Sequence, residues 1–116
     1  MASGRLGAVK SAATTYKTLY KPSGCVAVVS VSMCNQAAID DAVRLAVVQS
    51  ASTDPTPAVA EFVAYASLIK ASGDQSFGDR AMFGPYELNS ANNDQLVVYL
   101  TGGNVSFVAT GDEGVA

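Results

Sequence analysis

Apolar and polar residues alternate most cleanly in the stretch VAVVSVSMCN. Val29, Val31 and Met33 fall on one side, and Ser30, Ser32 and Cys34 on the other. A period of two marks a strand with one oily face and one polar or shared face. The β-branched Val26 and Val28 extend the signal upstream, and Pro22-Ser23-Gly24 punctuates its start. Residues 26–35 are therefore expected to form a central strand. Val43, Leu45 and Val47 alternate with Arg44, Ala46 and Val48 and predict another. Residues 12–20, rich in Thr and Tyr, read as a first strand that leads into a type I turn at Lys21-Pro22-Ser23-Gly24. Near the end, residues 96–100 (LVVYL) and 105–109 (VSFVA) flank Thr101-Gly102-Gly103-Asn104. Two β-rich runs around a Gly-Gly pair predict a hairpin, since glycine tolerates the positive φ of tight turns.

Other stretches are less regular. Residues 35–41 read as a polar connection, and 50–57 (SASTDPTP) as a loop in which two prolines forbid regular pairing. Residues 58–71 carry enough alanine for an amphipathic helix. They also alternate as Phe62, Ala64, Ala66 and Leu68 against Glu61, Val63, Tyr65 and Ser67, and their aromatic and β-branched content favours a strand. Residues 77–83 read as a short strand or irregular edge ended by Gly84-Pro85, with Tyr86 to Leu88 as its alternative continuation, and 89–94 as a polar turn. Seven or eight short strands with turns every 8–12 residues or so suit a sandwich or a barrel. The expected fold is all-β, an antiparallel β-sandwich of jelly-roll or Ig-like type with an extended N-terminal arm. Its parts are an arm over 1–11, a sandwich domain over 12–110 and a C-terminal tail over 111–116.

At 116 residues the chain holds one domain, which buries roughly two-thirds of its unfolded surface. Hydrophobic residues make up 49% and charged residues only 15%, so much of the surface is neutral, as in a subunit whose faces neighbours cover. Residues 1–21 contain Arg5, Lys10, Lys17 and Lys21 and no acid, whereas the rest of the chain sets Arg44, Lys70 and Arg80 against all ten acids. A basic start on an acidic body suits head-to-tail association or an arm laid on an acidic neighbour, with four simply solvated cations as the equal alternative. Nucleic acid is not an expected partner, because no cationic run with interleaved aromatics occurs. No secretory h-region opens the chain and no run approaches a membrane span.

The chain has no histidine, which removes Ser-His-Asp and Cys-His catalysis and the usual zinc sites. Cys25 and Cys34, about 30 Å apart if on one strand, cannot pair and are expected to be small buried thiols. Asp40-Asp41 and Asp112-Glu113, the adjacent carboxylates, read as solvated loop acids rather than a catalytic pair or calcium site. No catalytic, cofactor-binding or metal-binding residue is expected. Tyr16, Tyr20, Tyr65, Tyr86 and Tyr99 read as rims of a sandwich core, with a binding face as the alternative.

Four stretches together carry a resemblance: M-A-S-G-R-L-G-A (1–8), A-A-T-T-x-x-x-L-Y (12–20), V-x-V-x-x-C-N (29–35) and V-R-L-A-V (43–47). Their order and spacing resemble small virion structural proteins of tailed bacteriophages, notably those infecting cyanobacteria and other marine bacteria. The likeness covers the N-terminal half; residues 50–57 and 71–94 have no counterpart in it. It implies an all-β protein assembled on the particle, made in the host cytoplasm, with no catalytic residues. The expected function is non-enzymatic: a capsid decoration or cement protein, in several copies, on the major capsid protein. Two alternatives are a neck, tail or fibre-anchoring subunit and a carbohydrate-binding surface module. Arg5, Leu6, Val9 and Lys10 are the expected partner-binding arm, adding a strand to a neighbour's sheet edge.

Overall fold

The computed structural model describes residues 3–9, 14–57, 61–71, 78, 80–102 and 105–114. Its strands are β1 (Ser3–Val9), β2 (Tyr16–Tyr20), β3 (Val26–Asn35), β4 (Asp41–Gln49), β5 (Phe62–Ile69), β6 (Arg80–Asn89), β7 (Asp94–Leu100) and β8 (Val105–Glu113). They form two four-stranded sheets, ordered β1-β8-β3-β6 and β2-β7-β4-β5, and every pairing is antiparallel. The first strand pairs with the eighth, the second with the seventh, the third with the sixth and the fourth with the fifth. That is a long hairpin rolled on itself, so of the two sandwich types expected the strand order selects the jelly roll.

The alternation of β3 is realised residue by residue. Ala27, Val29, Val31 and Met33 are buried between the sheets, while Ser30 and Ser32 are half-exposed and Cys34 is exposed. Across the core they meet Val43 and Leu45 of β4 and Leu96, Val98 and Leu100 of β7, while Phe107 of β8 stands beside Met33 in the same sheet. Each such side chain contributes about 1.5–3 kcal/mol by leaving water. Four buried polar residues fasten the loops around this core. Asn35 donates to the carbonyls of Ile39 and Ile69 at 2.8 and 3.1 Å and accepts from the Ala37 N–H. The carboxylate of Asp41 accepts from Gly102 N–H at 2.7 Å, and that of Asp94 from Asn89 N–H at 2.9 Å. Gln95 donates to the carbonyls of Ser50 and Ser52 and accepts from the Thr18 hydroxyl. Burial without these partners would cost each group several times what a surface bond contributes.

Several expectations are corrected. The segment expected as an extended arm outside the sandwich domain is, over Ser3–Val9, an edge strand of the sandwich paired with β8. Leu6 and Val9 pack against the core, and Gly7 lets β1 approach β2 so closely that a Cβ there would sit 2.6 Å from the Leu19 carbonyl oxygen. The tail expected from residue 111 is strand as far as Glu113, and Gly114 N–H donates to the Val26 carbonyl at 2.6 Å. A Cβ on Gly111 would fall 1.9 Å from the Val28 carbonyl oxygen, so that stretch of β8 depends on glycine. The expected terminal hairpin does not form: β7 and β8 belong to different sheets. β7 is buried over nearly its whole length and β8 at alternate residues, and Leu96, Val98 and Leu100 of the one share the core with Val105, Phe107 and Ala109 of the other from opposite sheets. Segment 58–71 is strand over Phe62–Ile69, but register shifts between Val43 and Leu45 and between Leu45 and Ala46 break its simple alternation. Leu68 is exposed and Ile69 buried as a result. β6 runs through Gly84-Pro85 without stopping, as an edge strand permits. Residues 12–13, 58–60, Phe77, Gly103, Asn104 and the last two residues lie outside the described residues.

Candidate functional site

The residues singled out for chemistry take structural places. Asp41 is buried and bound to Gly102, and Glu113 accepts a hydrogen bond from the Tyr20 hydroxyl, so neither is the solvated acid expected. Asp40 accepts from Ala71 N–H at 2.8 Å and lies 3.8 Å from Lys70. Of the thiols, Cys25 is buried as expected but Cys34 is exposed, because it continues the outward side of β3. Among the described residues no group of three or more Cys, Asp or Glu comes together to hold a metal, and no helix is long and apolar enough to cross a membrane.

Of the expected partner-binding residues, Leu6 and Val9 are half-buried against the core and Arg5 is exposed; Lys10 lies outside the described residues. The basic start of the chain is partly engaged within the molecule. Lys17 lies 3.5 Å from Asp54, and Lys21 reaches the carbonyls of Ser50 and Ala51 at 3.4 and 3.3 Å. Asp54 also accepts from the Thr18 N–H at 2.7 Å. That bond, then the Lys17 charge, holds its carboxyl below the usual range. These contacts hold the 50–57 loop along the free edge of β2.

What remains are the two outer faces, and they differ. On the first sheet, pairing register sets Met82, Ser32, Val108 and Ala8 in one row, and Ser30, Thr110 and Arg5 in the next. At one end Glu87, Val28 and Asp112 stand side by side; at the other, Arg80, Cys34 and Ser106. The centre of this face is neutral, with Met82 70% exposed, and Val28 in the end row is 47% exposed.

The second sheet is aromatic. Register places Tyr16, Tyr99 and Arg44 side by side on β2, β7 and β4. The next row is Thr18, Val97, Ala46 and Phe62. Because Val97 and Ala46 are small, the larger rings lean over them and bury both, with Tyr16 and Phe62 packed on top. Ring centroids are 4.7 Å apart for Tyr16–Tyr99, 6.3 Å for Tyr16–Phe62 and 5.1 Å for Phe62–Tyr65, the last pair edge-on. The Arg44 guanidinium lies 4.2 Å from the centre of the Tyr65 ring and 4.4 Å from that of Tyr99, and donates to the Tyr16 hydroxyl at 2.9 Å. Cation–π contacts of this kind contribute about 0.5–2 kcal/mol each, depending on desolvation. Tyr65 is 59% exposed, with Val63 and Leu68 also exposed on the same edge strand.

Of the five tyrosines, Tyr20 and Tyr86 do line the core, whereas Tyr16, Tyr65 and Tyr99 make the outer surface. Sequence reasoning passed over Arg44 and Phe62. The available signal was the outward phase of β4 and β7, which puts Arg44 and Tyr99 opposite the buried Val43, Leu45, Val98 and Leu100. No family model, curated protein or solved structure matches the chain.

Proposed function

We propose that this chain is a non-enzymatic virion structural protein of a tailed bacteriophage, a capsid decoration or cement protein that binds in copies to the major capsid protein. The observation that carries the reading is the outer face of the first sheet. Its centre, formed by Met82, Ser32, Val108, Ala8, Ser30 and Thr110, is uncharged and includes a largely exposed methionine. Such a face is poorly matched to water and well matched to another protein surface. The N-terminal likeness to phage virion proteins supports the same reading. So does the jelly-roll body, a stiff scaffold of two packed sheets.

The contact role moves from the arm to this face. Arg5 stands at its rim on β1, while Leu6 and Val9 hold β1 to the core. Weak contacts through such a face gain strength when many copies are linked on one shell.

Copy number tests the proposal. Quantitative mass spectrometry of purified particles is expected to find hundreds of copies, in fixed ratio to the major capsid protein. Six to a few dozen copies would place the same brick at the neck or tail. Its absence from particles would end the virion reading.

A further inference from the structure

We propose that the Tyr16–Tyr99–Arg44–Tyr65 surface of the second sheet binds an acidic glycan, a chain of pyranose rings bearing carboxylates. The inference goes beyond the assembly role and uses the opposite face of the sandwich.

The charge sets the class of ligand. Arg44 is held by two rings and one phenol oxygen, and among the described residues no carboxylate engages it. One N–H goes to Tyr16, which leaves most of a forked donor available to a carboxylate in two-point geometry. The stacking also fixes the guanidinium in place, so little side-chain freedom is lost on binding.

The rings set its shape. A pyranose has an apolar C–H face and a rim of hydroxyls. Tyr65 offers a largely exposed ring, and Tyr16, Tyr65 and Tyr99 add phenol hydroxyls beside it. Ring-on-ring packing makes this surface rigid before any ligand arrives.

Size argues against a protein as the occupant. A stable protein interface takes about 800 Å² from each partner. The aromatic patch is confined to one row with Phe62 beside it, about 14 Å across four adjacent strands, whereas the neutral face of the first sheet extends over several rows. Beyond the patch the exposed apolar side chains on this edge are Val63 and Leu68. That footprint suits two or three sugar rings.

The probe is tetragalacturonate, titrated into the full chain and followed by calorimetry and by the tyrosine ring resonances. Cellotetraose serves as the neutral counterpart and inorganic phosphate as the bare anion. Saturable binding of the acidic tetramer is expected, with shifts at Tyr65 and Tyr99 and at least about tenfold weaker binding of cellotetraose. Arg44→Gln and Tyr65→Ala should each weaken it by about tenfold or more, and Arg44→Lys by less. Lys17→Gln, a cation outside the row, should bind as the parent does. Near-UV circular dichroism confirms that each variant is folded. No binding at millimolar concentration, equal binding by Arg44→Gln, or equal shifts from phosphate alone would overturn the proposal. So would concentration-dependent self-association lost in Tyr65→Ala with no response to the sugar. None of these results bears on particle copy number, so the two readings fail separately.

Discussion

Tyr20 shows how a single phenol ties the seam of the roll together. It sits at the end of β2, packs in the core and donates to the Glu113 carboxylate on β8, so one hydrogen bond links the two sheets. Burial, and then the hydrogen bond and charge of Glu113, raise its pKa well above the ordinary value near 10. A raised pKa means that the fold favours the protonated phenol. Its contribution is therefore complete below the unfolded value and is lost as pH rises from there towards the folded value. Tyr20→Phe should lower stability at pH 7 by about 1–2 kcal/mol, read from urea denaturation. The parent should lose its advantage over the variant progressively above pH 10. Tyr86 is raised as well, by burial, but it is common to both proteins and does not alter the comparison. Parallel stability curves up to pH 11.5 would show that the Tyr20–Glu113 bond does not carry this dependence.

At the scale of elements, the legible parts were those whose signal is local. The strand over Val26–Asn35 could be read because from Val29 to Cys34 apolar residues alternate with small or polar ones, and the inner face is fully buried. The 50–57 loop could be read because proline and Asp-Thr-Ser clusters act on their own backbone. What could not be read was partnership. LVVYL and VSFVA look like a hairpin, yet only long-range packing decides whether two such runs pair in one sheet or face each other from two. Likewise, nothing around Leu6 and Val9 says that residues 3–9 join β8, since that strand completes its sheet from the far end of the chain. The aromatic surface was hidden for the same reason: Tyr16, Arg44, Phe62 and Tyr99 are brought together only by the register of β2, β7, β4 and β5. A deletion separates the extended-arm expectation from the strand. Removing residues 1–11 takes away β1, uncovers Leu6 and Val9 contacts and leaves the β8 edge unpaired. The truncated chain should lose about 2–4 kcal/mol of stability and aggregate through its open edge. An unchanged melting temperature and a monodisperse truncated protein would mean that β1 is dispensable to the roll.

For the whole molecule, the two outer faces differ: one sheet shows a neutral surface, the other an aromatic one with a cation at its centre. The proposed assembly role makes an asymmetric demand on the first of them. Met82 is largely exposed on β6 and stands opposite Ser32, so a charge there meets water in the free protein. Met82→Glu should change the stability of the isolated chain by less than about 0.5 kcal/mol. In an assembled contact the same carboxylate would be buried without a partner, a cost of about 2–5 kcal/mol for each copy. Multiplied over a shell, that loss should strip the protein from particles while its fold and any sugar binding by the opposite face persist. Particles grown with the variant and compared by mass spectrometry give the answer. Full occupancy with Met82→Glu would show that this surface faces solvent on the particle, and the contact would then have to be sought at the strand edges.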